Sequence, residues 1–454
     1  MWAFGWKVER DFMRGVVGIR RENADLTERR APLTPDQVKH LIQSDNLKIL
    51  VEPSENRIFS DSAYQKAGAT ITNDLSECNI IFGVKEIPTS DLAPGAVYCY
   101  FSHTIKGQSH NMPMLKRVLD LRNTLIDYEC VQDEEGKRLI FFGKFAGYAG
   151  MIDSFWALGL RLVSQGISNP FTTIKQAVRY DNLREIREAF AVLADTIRTE
   201  GLPQDLVPLV CGFTGYGHVS QGAQEIFDLL PHDELKPSEL PNFIENGEYS
   251  RHRLYKVVFK EADMFQPIEA NDSFNLQDYY NYPEKYRSSF QQYIPYLSMI
   301  INGIFWAPQY PRLVTRDFLK NYYSTNKEMK LRIIGDITCD IEGSIECTVK
   351  ATNSENPIYV YNPNSGDIKD GNDGEGIVVL AVDKLPSELP KEATLSFGNS
   401  LLPYIPELAR ANFIKNFEDL NVPAPFKQAI LAHQGKLTPD YRYLIELMKA
   451  ESKG

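Results

Sequence analysis

The chain has little of what would mark it as a stapled, metal-bound or nucleic-acid-binding protein. Among 454 residues there is no CxxC pair, no HExxH, no run of five basic residues and no long unbroken apolar stretch. Its six cysteines (Cys78, Cys99, Cys130, Cys211, Cys339, Cys347) are scattered through mostly apolar runs, which predicts free buried thiols in a reducing compartment. Only seven histidines are present, and His103 and His110 have no third ligand near them in sequence, so no metal is expected. Acidic residues outnumber basic ones by 60 to 49, a formal net charge of −11, so neither nucleic acid nor an anionic membrane is an expected partner. The most apolar stretch, Tyr293 to Pro308, is broken by Pro295, Asn302 and Gly303, whereas a bilayer takes about 20 apolar residues. Met1 to Gly15 carries Glu9 and Asp11 and runs into Val16-Val17-Gly18-Ile19, leaving little room for a removable leader.

What is present points to an α/β protein. Apolar residues make up 43% of the chain, and a domain of about 100–200 residues predicts two or three lobes. Four short apolar runs end in polar residues: Val16–Ile19 at Arg20, Ile80–Val84 at Lys85, Val97–Phe101 at Ser102 and His103, and Leu125-Ile126 at Asp127 and Glu129. Helix-like stretches, Thr34–Gln43 and Met112–Leu121, lie between them. This alternation predicts a parallel sheet whose ligands sit beyond the strands' carboxyl ends, so Arg20, Lys85, His103 and Glu129 are expected on one rim.

Further on, Gly147–Val163 and a capped amphipathic helix from Asn182 to Ile197 lead to a second apolar strand, Val207–Phe213. It runs into GFTGYGHVSQGA, residues 212–223. A strand, a glycine loop and a helix in that order suit a pyrophosphate at the helix N-terminus, with Gly215 making the turn and Gly217, His218, Val219 and Ser220 opening the helix. Ser220 stands where a third fingerprint glycine would be, although Gly222 and Ala223 keep the helix face small. If the next strand ends at Leu235, Lys236 and Ser238 fall near the 2′-phosphate of NADP; a slip of one residue puts Glu234 or Glu239 there. A later strand, Leu331–Ile334, ends at Asp336 and Asp340, and the acidic glycine-rich Asp367–Gly376 reads as a solvated loop between strands Ile358–Tyr361 and Ile377–Val382.

Of the titratable residues, His103 fits a proton shuttle near neutral pH. Lys85 is either a solvated lysine paired to Glu86 or a partner in that chemistry. Arg20, Arg21, Arg29 and Arg30 could grip carboxylates bidentately, or form a surface charge cluster.

The segments RRENADLTERRAPLTP, FGVKEIP, YFSHTIKGQ, IDYECVQDEEGKR, FGKFAGYAGM, GFTGYGHVSQGAQ, NGIFWAPQYPRL, GDITCDIEGSIE and DKLPSELPKEA, in order over residues 15–445, resemble the lysine–2-oxoglutarate reductase half of the bifunctional aminoadipic semialdehyde synthases. More distantly they are similar to lysine-forming saccharopine dehydrogenases and alanine dehydrogenase. The resemblance implies two Rossmann-like lobes, an alanine dehydrogenase-like substrate lobe (1–148) and an NADP-binding lobe (149–390), with C-terminal helices (391–454) returning to the first and the active site in the cleft. It implies that L-lysine and 2-oxoglutarate condense and that NADPH reduces the imine to saccharopine. Lys85 and His103 match the acid–base pair; Arg20, Arg30, Glu129, Asp133 and Arg138 match substrate-contacting positions; Asn302, Asp336 and Asp340 match positions near the nicotinamide. Two alternatives stay open: an NAD-linked, lysine-forming saccharopine dehydrogenase, and a non-catalytic module that binds NADPH and lysine. The family continues into a saccharopine-oxidising half while this sequence stops at Gly454, so a reductase part with a covalently linked saccharopine dehydrogenase domain, or a stand-alone form, is expected. Members are mitochondrial in animals and cytosolic elsewhere, which implies the mitochondrial matrix or the cytoplasm. A homo-oligomer is compatible with the chain, since closed dimers are the commonest assemblies.

Overall fold

The computed structural model describes residues 15–23, 27–325 and 329–451. Of the Met1–Gly15 segment, all but Gly15 lies outside them. The chain forms two compact units, Met1–Phe142 with Pro390–Gly454, and Gly143–Leu389.

The first unit is built on eight strands: β1 (Val16–Ile19), β2 (Lys48–Val51), β3 (Thr70–Ile71), β4 (Ile80–Phe82), β5 (Val97–Tyr100), β6 (Thr124–Asp127), β17 (Ile430–His433) and β18 (Lys436–Leu437), in the spatial order β18-β17-β6-β5-β4-β1-β2-β3. Strands β1 to β6 are parallel. Their central members are buried at every position, as expected where helices cover both faces of a sheet. Helix α1 (Pro35–Ser44) starts at a capping box: the Thr34 hydroxyl accepts from the Gln37 amide, and the Gln37 side chain accepts from the Thr34 amide at 2.8 Å. Helix α2 (Met112–Asp120) buries Met112, Met114, Leu115 and Val118. The C-terminal stretch supplies strands as well as helices, because β17 pairs antiparallel with β6 and closes what would be an open edge of the parallel sheet.

The second unit opens with helix α3 (Gly143–Ser164), followed by α4 (Leu183–Thr199), whose Asn182 side chain accepts from the amides of Arg184 and Glu185. Its sheet contains β7 (Val210–Thr214), β8 (His232–Leu235), β9 (Leu254–Phe259), β12 (Met299–Asn302), β13 (Ile333–Asp336), β14 (Ile358–Tyr361), β15 (Ile368–Asp370) and β16 (Ile377–Leu380), in the order β15-β14-β16-β13-β12-β7-β9-β8. A separate antiparallel pair joins β10 (Phe265–Pro267) to β11 (Tyr286–Ser288). The acidic loop holds a short exposed strand, β15, folded back on β14, where the sequence suggested only a loop. Helix α5 (His218–Phe227) follows β7 and lies backbone to backbone on α3. A Cβ on Gly222 would come within 2.2 Å of the Lys144 carbonyl oxygen, and one on Gly147 within 2.0 Å of that of Val219. The small face at Gly222 therefore does the packing work of the missing third glycine. Among the described residues no helix is long and apolar enough to cross a membrane.

Candidate functional site

In the first unit, β6, β5, β4 and β1 are parallel neighbours, so the residues after their carboxyl ends, including Arg20, Lys85, His103 and Glu129, line one edge of the sheet. His103 has φ of +48°, a left-handed conformation uncommon for a residue with a side chain, and its ring stacks on Phe101 at 6.1 Å. Its Nδ1 bonds the Glu86 carboxylate. A carboxylate only accepts, so Nδ1 carries the proton and Nε2 of the neutral ring carries the lone pair, ready to take a proton or, once charged, to give one. Asn111 donates to both Glu86 and the His103 carbonyl. Burial pushes the Glu86 carboxyl up, but the His103 hydrogen bond and charge, its own amide and Lys85 outweigh this and bring it down to about 2.

Glu86 therefore pairs with His103, not with the neighbouring Lys85. The Lys85 ammonium acts electrostatically on both Glu28 and Glu86. Its loop is clamped from below: the buried Glu22 carboxylate accepts from the amides of Val84 at 2.8 Å and Lys85 at 3.0 Å. Burial raises the Glu22 carboxyl, opposed by Arg20 and these two amides.

The arginines divide. Arg30 is buried and holds Glu28 bidentately, Nε to Oε1 at 2.7 Å and Nη2 to Oε2 at 2.5 Å, with its guanidinium 4.1 Å over the Phe142 ring. Arg20 is also buried and donates from Nη2 to Asn23, yet its buried Nη1 has no partner among the described residues. The same holds on the acidic side for Glu129, whose Oε2 is buried without a partner while Oε1 accepts from Arg138 at 3.4 Å. Asp133 is occupied with its own turn, accepting from the Lys137 amide at 2.7 Å. Asp127, the last residue of β6, is buried beneath this edge, where it accepts from the Ser102 amide and hydroxyl and the Glu129 amide. Burial lifts its carboxyl to about 6 against those hydrogen bonds. Glu22, Glu86 and Asp127 were not singled out from sequence; their signal was position alone, beside or at the end of a strand run.

In the second unit Gly215 has φ of +78°, and a Cβ there would strike Ile304 at 2.9 Å. Gly217 caps α5 without a side-chain hydrogen bond, and a Cβ on it would meet nothing within 4 Å. His218 is exposed, Val219 half-buried and Ser220 buried. Beside this turn is a cavity of about 280 Å³ bounded by Gly215, Tyr216, Gly217, Glu261, Tyr280 and Gly303. Asn302 and Asp336 form a closed buried network: Asn302 accepts from Thr214 at 2.6 Å and donates to Asp336, Thr338 and Ser344, and Asp336 also accepts from Thr338 and Thr348. Burial raises the Asp336 carboxyl against those bonds. Asp340 is half-buried in the turn after β13. Strand β8 does end at Leu235, but it is the outermost strand; β9 lies between it and β7. Lys236 and Ser238 are exposed, with Lys236 Nζ 3.9 Å from Glu239. Among the described residues no cluster of three His, Cys, Asp or Glu could hold a metal ion.

An edge of ionisable side chains in one unit, and a glycine turn opening a helix in the other, mark a two-unit α/β protein. Residues 18–149 match the alanine dehydrogenase/PNT N-terminal domain and residues 278–440 the C-terminal domain of the same family, so the chain belongs to the alanine dehydrogenase/PNT family. More particularly, it is 38% identical over 461 residues to the alpha-aminoadipic semialdehyde synthase of Arabidopsis thaliana, covering 98% of this chain and 43% of that protein. It is 36% identical to the mitochondrial enzyme of that name from Bos taurus, covering 96% and 48%. The chain thus spans about half the length of these curated relatives. It is 29% identical to the saccharopine dehydrogenase (NAD(+), L-lysine-forming) of Candida glabrata, covering 87% and 92%. Among solved structures, an L-alanine dehydrogenase superposes with a TM-score of 0.60 at 16% identity, covering 95% of this chain and 99% of that one. A transhydrogenase from Sinorhizobium meliloti gives 0.52 at 16%, covering 93% and 100%. Likeness at that identity is one of fold.

Proposed function

We propose that the chain is a lysine–2-oxoglutarate reductase that condenses L-lysine with 2-oxoglutarate and reduces the imine to saccharopine with NADPH. One observation carries the reading: on the edge that holds His103 and Lys85, a buried arginine N–H at Arg20 Nη1 and a buried carboxylate oxygen at Glu129 Oε2 are both left without partners among the described residues. Buried polar atoms are nearly always satisfied, so an orphan donor and an orphan acceptor on one edge ask for a ligand with both a carboxylate and an ammonium. Amino and oxo acids bring these groups. Similarity over nearly all of this chain to about half of the aminoadipic semialdehyde synthases supports the same substrates.

The chemistry needs proton transfer twice. The ε-amine of lysine must lose its proton before it attacks the keto carbon of 2-oxoglutarate, and the resulting carbinolamine oxygen must be protonated to leave as water. His103 Nε2, with Nδ1 held by Glu86, suits the first step, and Lys85, held by Glu22 through its backbone, suits the electrostatics of the second. Glu129, with Asp133 and Arg138 beside it, suits the lysine end, and Arg20 a carboxylate. Arg30 enters only by giving up Glu28, so it carries less of the reading.

A bound nicotinamide dinucleotide would supply the hydride that the imine carbon needs. The Gly215–Gly217 turn fits such a group, because space over Gly217 is open and Gly217, as the cap of α5, brings no side chain there. Asn302 and Asp336 support that turn through Thr214, and Asp340 lies beyond them. Relatives named mitochondrial favour the matrix, with the cytoplasm as the other compartment, and the half-length match favours a linked saccharopine-oxidising domain.

The second reading, an NAD-linked saccharopine dehydrogenase running toward lysine, is favoured by one fact: the match covers 92% of that fungal enzyme. Loss of nicotinamide absorbance on mixing the purified chain with lysine and 2-oxoglutarate, each omitted in turn, tests the proposal with NADPH and then NADH. Turnover that needs both substrates and prefers NADPH is expected; preference for NADH selects the second reading, and cofactor binding without turnover a binding module.

A further inference from the structure

We propose that Lys260, at the end of β9, selects the 2′-phosphate of NADPH in place of the Lys236 expected from sequence spacing; this rests on the dinucleotide reading above. A dinucleotide with its pyrophosphate at the amino end of α5 extends its adenosine ribose across the sheet toward the strand next to β7. By sequence order that strand would be β8. In the sheet it is β9, which pairs with β7 in register along five residues from Val210↔Tyr255 to Thr214↔Phe259. The turn itself is tied to it, since the Gly215 amide donates to the Phe259 carbonyl at 2.9 Å. Lys260 is the next residue. Adjacent strands are about 4.8 Å apart, so the end of β8 is about twice as far from the glycine turn as the end of β9.

The side chains agree with this placement. Lys260 is exposed, and its Nζ lies 5.8 Å from the ring of Tyr216, the residue between the two turn glycines. Among the described residues it forms no ion pair, its backbone amide being the group that Asp263 binds. Glu261 is the group that would oppose a phosphate. Its carboxylate accepts from the Tyr280 hydroxyl at 2.9 Å, and both line the cavity with Tyr216. Lys236, by contrast, stands over Glu239, which also accepts from its amide at 3.0 Å.

The test is direct binding of 2′,5′-ADP and of 5′-AMP, by calorimetry, to the wild type, Lys260→Ala and Lys236→Ala. The wild type should bind 2′,5′-ADP more tightly. Lys260→Ala should weaken 2′,5′-ADP by about 10- to 100-fold, the worth of a charge-assisted hydrogen bond, with 5′-AMP little changed. Lys236→Ala should leave the preference intact. The proposal is overturned if Lys260→Ala keeps the preference, if Lys236→Ala removes it, or if the wild type favours 5′-AMP, which would make Glu261 a ribose-hydroxyl acceptor and the site one for NAD. Failure of 2′,5′-ADP, 5′-AMP, NADPH and NADH alike to bind would sink the dinucleotide reading itself, and this proposal with it.

Discussion

Glu86 holds His103 by Nδ1, and Asn111 ties the carboxylate of one to the carbonyl of the other. The pair fixes which ring nitrogen faces outward and holds a histidine in a left-handed backbone conformation. Removing the imidazole, His103→Ala, should lower turnover by about 10²–10⁴-fold, the usual worth of acid–base catalysis, with cofactor binding retained. Glu86→Gln should cost less than His103→Ala, since an amide oxygen can still accept from Nδ1 but lacks the charge. Steady-state kinetics on both variants check this; a fully active His103→Ala would remove the residue from the mechanism.

The same pair sets an acid limit. The Glu86 carboxyl is held near 2 in the folded chain against an ordinary value of 4.5. A depressed carboxyl contributes stability that is present above its unfolded value and is lost as pH falls through the folded one. Glu86→Gln should therefore lose stability relative to wild type at neutral pH, and the gap should shrink below about pH 4. Thermal midpoints across that range measure it; a gap independent of pH would contradict the pairing.

Asp153 on α3 and Glu388 are both buried, and the charge of Glu388 acts on Asp153. Asp153 accepts from the Ala177 amide, and Glu388 from the Ser354 hydroxyl. Burial first, and then the charge of Glu388, push the Asp153 carboxyl well above its usual range; burial likewise raises Glu388. The folded chain thus keeps a proton that the unfolded chain releases, so the pair's contribution is full below the ordinary carboxyl range and is lost as pH rises through the raised values. Asp153→Asn, which supplies a permanent N–H, should flatten the fall of the thermal midpoint as pH rises above the ordinary carboxyl range. An unchanged slope would refute the raised carboxyls.

The two glycines of α5 separate packing from ligand space. Gly222→Ala forces a Cβ onto the Lys144 carbonyl and should destabilise the second unit by about 1–3 kcal/mol. Gly217→Ala meets nothing and has an ordinary φ of −73°, so the thermal midpoint should hold while the methyl group obstructs the pyrophosphate. Equal effects of both variants on stability would contradict the assignment. In the first unit, Arg30→Ala strands the buried Glu28 and should cost about 3–5 kcal/mol in urea denaturation.

How far the sequence could be read depended on whether the information was local. The runs at Val16–Ile19 and Val97–Tyr100 were legible because strands covered on both faces are apolar throughout, and their polar exits marked the sheet's edge. Asn182 announced α4 because its cap bonds reach only two and three residues ahead. Spatial order left no such trace. Nothing in residues 232–259 says that β9 slips between β7 and β8, or that Ile430–His433 returns across about 300 residues of chain to pair with β6. Side-chain partners were equally hidden: Lys85 and Glu86 are neighbours in sequence, yet they leave the strand end toward different partners.

The central claim is that this chain joins lysine to 2-oxoglutarate. The most direct test is to incubate it with both and a reduced nicotinamide cofactor, and to measure saccharopine by mass spectrometry against cofactor oxidised. The account predicts one saccharopine for each cofactor oxidised, none when either substrate is omitted, and little from His103→Ala. Cofactor oxidation without saccharopine, or no oxidation by a chain that binds the cofactor, would contradict it.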